Sequence, residues 1–152
     1  MFLPADPLQV ACLPCGTEWI YGEVVDSADR FRQTLATVAE RGCDGEDVHF
    51  AVREFLDEYA LRPPALRQAS IASLPPLTGD MRWDAFLGAL AEFLSLRDGL
   101  AVPQWCLSSE RFLDTFWFVS GTAGFRAISI AQAPISFKRR GVMIPQRSLT
   151  RV

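Results

Sequence analysis

The sequence predicts a mainly α-helical single domain, a compact bundle of about five to seven helices. Three observations carry this. Apolar residues recur at spacings of three and four through most of the chain after residue 26. Asp, Ser, Pro and Gly fall where helices start and stop. The composition, 49% hydrophobic and 22% charged over 152 residues, suits one folded domain with a sizeable core and excludes a disordered chain.

Residues 1–25 read as an irregular N-terminal segment, because Pro4, Pro7, Pro14, Gly16 and Gly22 interrupt any long helix. Within it, Trp19, Ile20, Tyr21, Val24 and Val25 have the aromatic and β-branched character of a short strand or hairpin. The helical domain is expected over 26–152. A first helix is expected to be capped by Asp26 or Ser27, with Ala28, Phe31, Leu35 and Val38 on its apolar face and Gly42 behind it. A second spans about Glu46 to Tyr59, where Val48, Val52, Phe55, Leu56 and Tyr59 form the stripe. Pro63-Pro64 ends it and opens a short third through Leu66, Ala69 and Ile71. Leu74 to Gly79 is a loop. Asp80 then caps the strongest helix, with Trp83, Phe86, Leu87, Leu90, Phe93 and Leu94 on a wide apolar face and Gly99 at its end. Ser108 or Ser109 caps a short helix around Glu110 to Leu113, and Phe116, Trp117 and Phe118 form an aromatic knot. Another helix begins near Thr122. Pro134 restarts a helix ending near Arg140, Val142 to Ile144 is extended, and Ser148 to Val152 makes a last turn.

Charge divides the chain. Residues 1–76 carry a net −6 and residues 77–152 a net +3, and after Asp114 there is no acid but six cations: Arg126, Lys138, Arg139, Arg140, Arg147 and Arg151. Fourteen of the fifteen Lys/Arg residues are Arg, whose planar fork pairs bidentately with carboxylate or phosphate. This describes either two halves that neutralise each other or a basic face for an anionic partner, nucleic acid or protein. In Phe137-Lys138-Arg139-Arg140-Gly141 the cations also suit a helix C-terminus for purely local reasons.

Catalytic signatures are sparse. There is no G-x-S-x-G elbow, no G-x-G-x-x-G and no Walker A loop, so no catalytic residue, metal ligand or cofactor is assigned and an enzyme is not expected. Cys12-x-x-Cys15 has redox or zinc spacing, but only Cys43, His49 and Cys106 are available as further soft ligands, and two ordinary thiols in a loop account for it better. Glu46-x-x-His49 is a single copy of a motif that di-iron bundles use twice. A small metal or redox protein using Cys12 and Cys15 therefore stands as a lesser alternative. No apolar run is long enough for a membrane span. The first Lys or Arg is Arg30, so no secretory signal is expected and the protein reads as cytoplasmic.

The C-terminal two thirds carries a string of short motifs: Pro76-Leu77-Thr78-Gly79-Asp80-Met81-Arg82-Trp83-Asp84-Ala85, Leu90-Ala91-Glu92, Gly99-Leu100, Pro103-Gln104-Trp105, Arg111-Phe112-Leu113-Asp114, Phe116-Trp117-Phe118, Phe125-Arg126-Ala127 and Ala133-Pro134-Ile135-Ser136-Phe137-Lys138-Arg139-Arg140-Gly141. Over about residues 50–152 the chain resembles small bacterial antitoxin-like proteins and C-terminal domains, sometimes fused behind a helix-turn-helix, that partner nucleotidyltransferase-like toxins. It departs from the fused members in having no N-terminal helix-turn-helix. The resemblance implies a protein-interaction module that occludes a toxin's nucleotide or RNA site. Asp57 and Glu58 would meet toxin cations, or Arg139 and Arg140 its carboxylates, while Trp105, Phe116 and Trp117 would supply apolar anchors. The alternative is a nucleic-acid-binding regulator whose basic C-terminal face comprises Arg126, Lys138, Arg139 and Arg140.

Overall fold

Asp80 and Gly99 bracket the longest helix among the described residues. The structure is a computed structural model that describes residues 18–20, 23–25 and 31–150. The chain divides into two units, Met1–Arg32 and Gln33–Val152. In the first unit, β1 (Glu18–Ile20) and β2 (Glu23–Val25) pair antiparallel with Trp19 opposite Val24. This is the short hairpin that the β-branched and aromatic residues predict.

The second unit is mainly helical. Its helices are α1 (Leu35–Cys43), α2 (Val48–Leu61), α3 (Pro64–Ala72), α4 (Met81–Asp98), α5 (Arg126–Gln132) and α6 (Ile135–Lys138). Short 3₁₀ turns, among them Gln104–Leu107, Ser109–Arg111 and Gln146–Leu149, join them. No helix among the described residues is long and apolar enough to cross a membrane.

α4 is the core helix. The Asp80 side chain accepts from the Arg82 N–H at 2.9 Å, and Gly99 closes the other end at φ 67°, a conformation that suits glycine. Every residue from Asp84 to Ser95 is buried, polar ones included. A helix covered on all sides needs neighbours all round, and α3, α6, a strand and the two 3₁₀ turns at 104–107 and 109–111 supply them. Leu87, Leu90 and Leu94 are fully enclosed, and Phe86 and Phe93 meet Phe137 edge-on at 5.2 and 6.1 Å.

Two sequence expectations shift. The first helix was expected to begin at Asp26 or Ser27. Residues 26–30 lie outside the described residues, residues 31–34 are not helical, and α1 starts at Leu35. Thr34 is the cap: its hydroxyl accepts from the Thr37 N–H at 3.1 Å, and the Thr37 hydroxyl accepts from the Thr34 N–H at 2.9 Å. Thr at the third helical position replaces the usual Glu or Gln of this reciprocal cap, which hides it in the sequence. The aromatic knot is also partly strand. β3 (Trp117–Phe118) lies parallel to β4 (Val142–Met143), with α5 and α6 in the crossover. Gly141, at φ 77°, makes the turn from α6 into β4. A Cβ there would lie 3.0 Å from the Thr115 carbonyl oxygen, so both conformation and space require glycine.

Candidate functional site

The nine residues that sequence reasoning selected for partner contact do not form one surface: Phe116 is exposed, while others are interior. Arg140 is fully buried and does not belong to a basic face. It is ion-paired with Glu92 of α4, donates to the Ser136 and Cys106 carbonyls at 2.9 and 2.7 Å, and lies over the Phe112 ring at 4.6 Å. Arg139 is 41% exposed but holds the other oxygen of Glu92 at 2.8 Å. Trp105 is also interior: its indole N–H donates to the Ile71 carbonyl at 3.0 Å, and Arg111 stacks on its ring at 5.1 Å. Glu58 is half-buried and accepts from Arg62 at 2.7 Å and from the Gln33 N–H at 3.0 Å. Trp117 is half-buried against Trp83, under Arg82. Asp57 and Arg126 are exposed, Arg126 over the Phe118 ring at 5.4 Å, and Lys138 is partly exposed at the end of α6. Among the described residues no group of three or more His, Cys, Asp or Glu could hold a metal. Cys12 and Cys15 lie outside them.

Asp84, Gly88 and Glu92 follow one another at four-residue spacing, so they share a face of α4. Arg111 and Arg140 are buried against that face. Arg111 lies 3.8 Å from Asp84 and donates to the Pro75 carbonyl at 2.6 Å, while Asp84 accepts from the Thr78 N–H and hydroxyl at 2.8 and 2.9 Å. Burial holds the Arg111 pKa below the usual guanidinium range, and Asp84 opposes the shift. Gly88 makes the room: a Cβ there would sit 2.9 Å from the Arg111 Cβ and 3.3 Å from the Arg140 Nε. This seam ties the loop before α4, the turn at 109–111 and the end of α6 to one helix, and it presents little charge to solvent.

Two adjoining hollows lie between α2 and the C-terminal turn at 146–149, and the buried Leu56 and Leu149 line both, so together they form a groove of two compartments. The first, about 240 Å³, has a floor of Val52, Leu56, Phe86 and Ile144 and a rim of His49, Arg53 and Ser148. The second, about 260 Å³, is lined by Tyr59, Ala60, Arg67, Arg97, Asp98 and Thr150. At its base the buried Tyr59 hydroxyl donates to Asp98 at 2.6 Å. Arg97 grips both oxygens of Asp98 at 2.8 and 3.0 Å, and Arg67 reaches it at 3.4 Å. Both guanidiniums also lie over the Tyr59 ring, at 5.3 and 5.6 Å. Burial, then the Asp98 hydrogen bond, pushes the Tyr59 phenol well above its ordinary value. The Arg97 hydrogen bond holds Asp98 below the usual carboxylate range.

Charge around this groove is not balanced. Arg53 and Arg147 are exposed, and no described carboxylate pairs with either. Among the described residues Asp98 is the only acid lining either compartment, against Arg53, Arg67 and Arg97. A shallower apolar hollow lies between α4 and α6, where Leu96 and Ile135 are both exposed beside Phe93. Sequence reasoning missed the groove. Its one readable trace is the spacing of His49, Arg53, Leu56 and Ala60 along one side of α2. The opposite wall comes from residues almost a hundred positions later.

No protein-family model matches this chain, and neither a curated protein nor a solved structure matches it.

Proposed function

We propose that the protein works by binding another protein and that, as the resemblance of its sequence implies, this partner is a toxin enzyme that it neutralises. The observation that carries the reading is the groove along α2, which combines an aliphatic floor with arginines at its rim. A buried apolar anchor ringed by charged groups is the arrangement that dominates protein–protein affinity. Phe116, Leu96 and Ile135 are further exposed apolar side chains, outside the groove. The alternative of nucleic-acid binding loses weight here, because Arg140 is enclosed and Arg139 is held by Glu92. Arg140 is spent inside the fold, and Arg139 is neutralised at the surface by the same carboxylate.

The test is co-expression with the product of the gene next to its own, followed by purification through a tag on either chain. The expected result is a stoichiometric complex and relief of the growth arrest that the neighbouring product causes alone. Two separately purified monomers, or growth arrest that persists with both chains present, would overturn the reading. A complex held by an apolar anchor loses little affinity between low and moderate salt, whereas nucleic-acid binding falls steeply.

A further inference from the structure

We propose that the two-compartment groove on α2 takes an acidic, apolar-anchored segment of the partner protein; this deepens the protein-binding reading and rests on it. Length comes first. His49 and Ala60, at the two ends of the groove on α2, are eleven residues apart, about 16 Å of helix. That span matches about three turns of a docked helix or about five residues of extended chain.

The floor selects an apolar side chain. Val52, Leu56 and Ile144 are aliphatic and the Phe86 ring is buried beneath the first compartment, so an aliphatic or phenyl group fits, while His49 is a single exposed ring and offers successive nucleotide bases no row of rings to stack on. The rim selects the charge. Arg53 lines the first compartment and Arg147 precedes the lining Ser148 in the facing turn, neither with an ion-pair partner among the described residues, and the second compartment adds two guanidiniums that one carboxylate only half neutralises. Carboxylates flanking the anchor complete those pairs, and Arg forks engage them bidentately. A basic segment would bring like charges together at the same rim.

Random peptides of about twelve residues, displayed on phage and selected on the immobilised full chain, test this. The enriched peptides are expected to carry two or more Asp or Glu beside Leu, Ile or Phe. Synthetic copies are expected to bind about tenfold or more weakly to the R53E/R147E double variant and to Ser148→Trp, which fills the first compartment. All three positions are exposed, and circular dichroism with urea unfolding verifies that the variants fold. The proposal is overturned by an absence of enrichment, by enrichment of basic or uncharged sequences, or by affinities that neither variant changes. It is also overturned if an oligonucleotide binds at moderate salt and is released by R53E/R147E, which assigns the groove to nucleic acid. Repeating the co-purification with both variants separates the two levels. A partner retained by both removes the groove and leaves protein binding intact, whereas no partner with the unaltered chain removes protein binding itself.

Discussion

The seam on α4 and the groove on α2 use the same residue type in opposite ways. Arg111 and Arg140 are enclosed, Arg111 by the Pro75 carbonyl and Asp84, Arg140 by two carbonyls and Glu92. Arg53 and Arg147 stand in solvent with no ion pair among the described residues. An arginine kept from water must be paired, or its desolvation cost exceeds what folding returns. An arginine at an open rim keeps its hydration and gains little from any surface pair. Arginines that look alike in the sequence are therefore divided by burial into those that hold the fold and those that stay in solvent.

The largest effect should come from breaking the seam. Glu92→Ala leaves Arg140 buried without its carboxylate and frees Arg139. We expect a loss of about 3–5 kcal/mol in urea unfolding, the range for breaking a buried ion pair. Gly88→Ala comes next. In an exposed helix the change would gain about 1 kcal/mol. Here the added Cβ meets Arg111 at 2.9 Å, and the expected net result is a loss of about 1–3 kcal/mol, as for other overpacked sites.

At the base of the groove, Tyr59→Phe removes a hydrogen bond to a charged acceptor, with an expected loss of about 1.5–3 kcal/mol. Asp98 also gives this region a pH dependence with a definite sign. Its folded pKa lies below the unfolded value of about 3.9. Its contribution is therefore complete above that value and disappears as pH falls through the folded pKa. Thermal unfolding between pH 5 and pH 2 should show a shallower acid-side decline in Asp98→Asn than in the unaltered chain. The smallest effect on stability, within about 0.5 kcal/mol, is expected for Arg53→Glu and Arg147→Glu, since neither has an ion pair to lose. A larger loss in either would erase the contrast between the two regions.

The helical architecture was legible for identifiable reasons. Asp80, Gly99, Pro64 and Gly141 act through their own backbone or a neighbour's, so their meaning is local and survives in one dimension. The Thr34–Thr37 cap was not legible because its second member is an uncommon choice at that position. The β3–β4 pair was hidden for a different reason. Each strand is two residues long, and their partnership spans the whole α5–α6 crossover. Of the partner-contact residues read from the sequence, Trp105 and Arg140 were chosen for their chemistry, and that same chemistry suits a satisfied interior position: an indole N–H on a carbonyl, a guanidinium on a carboxylate.

By itself, the order of residues determined where α2, α3 and α4 lie and that α4 carries a wide apolar face, because periodicity and capping act over three or four positions. Only the tertiary structure decided which arginines are interior and which face outward, and where a groove opens. Those outcomes depend on whether residues as distant as Glu92 and Arg140, or Arg53 and Ser148, come together. Desolvation acts on a charge according to everything around it, and most of what surrounds each of these charges arrives from elsewhere in the chain.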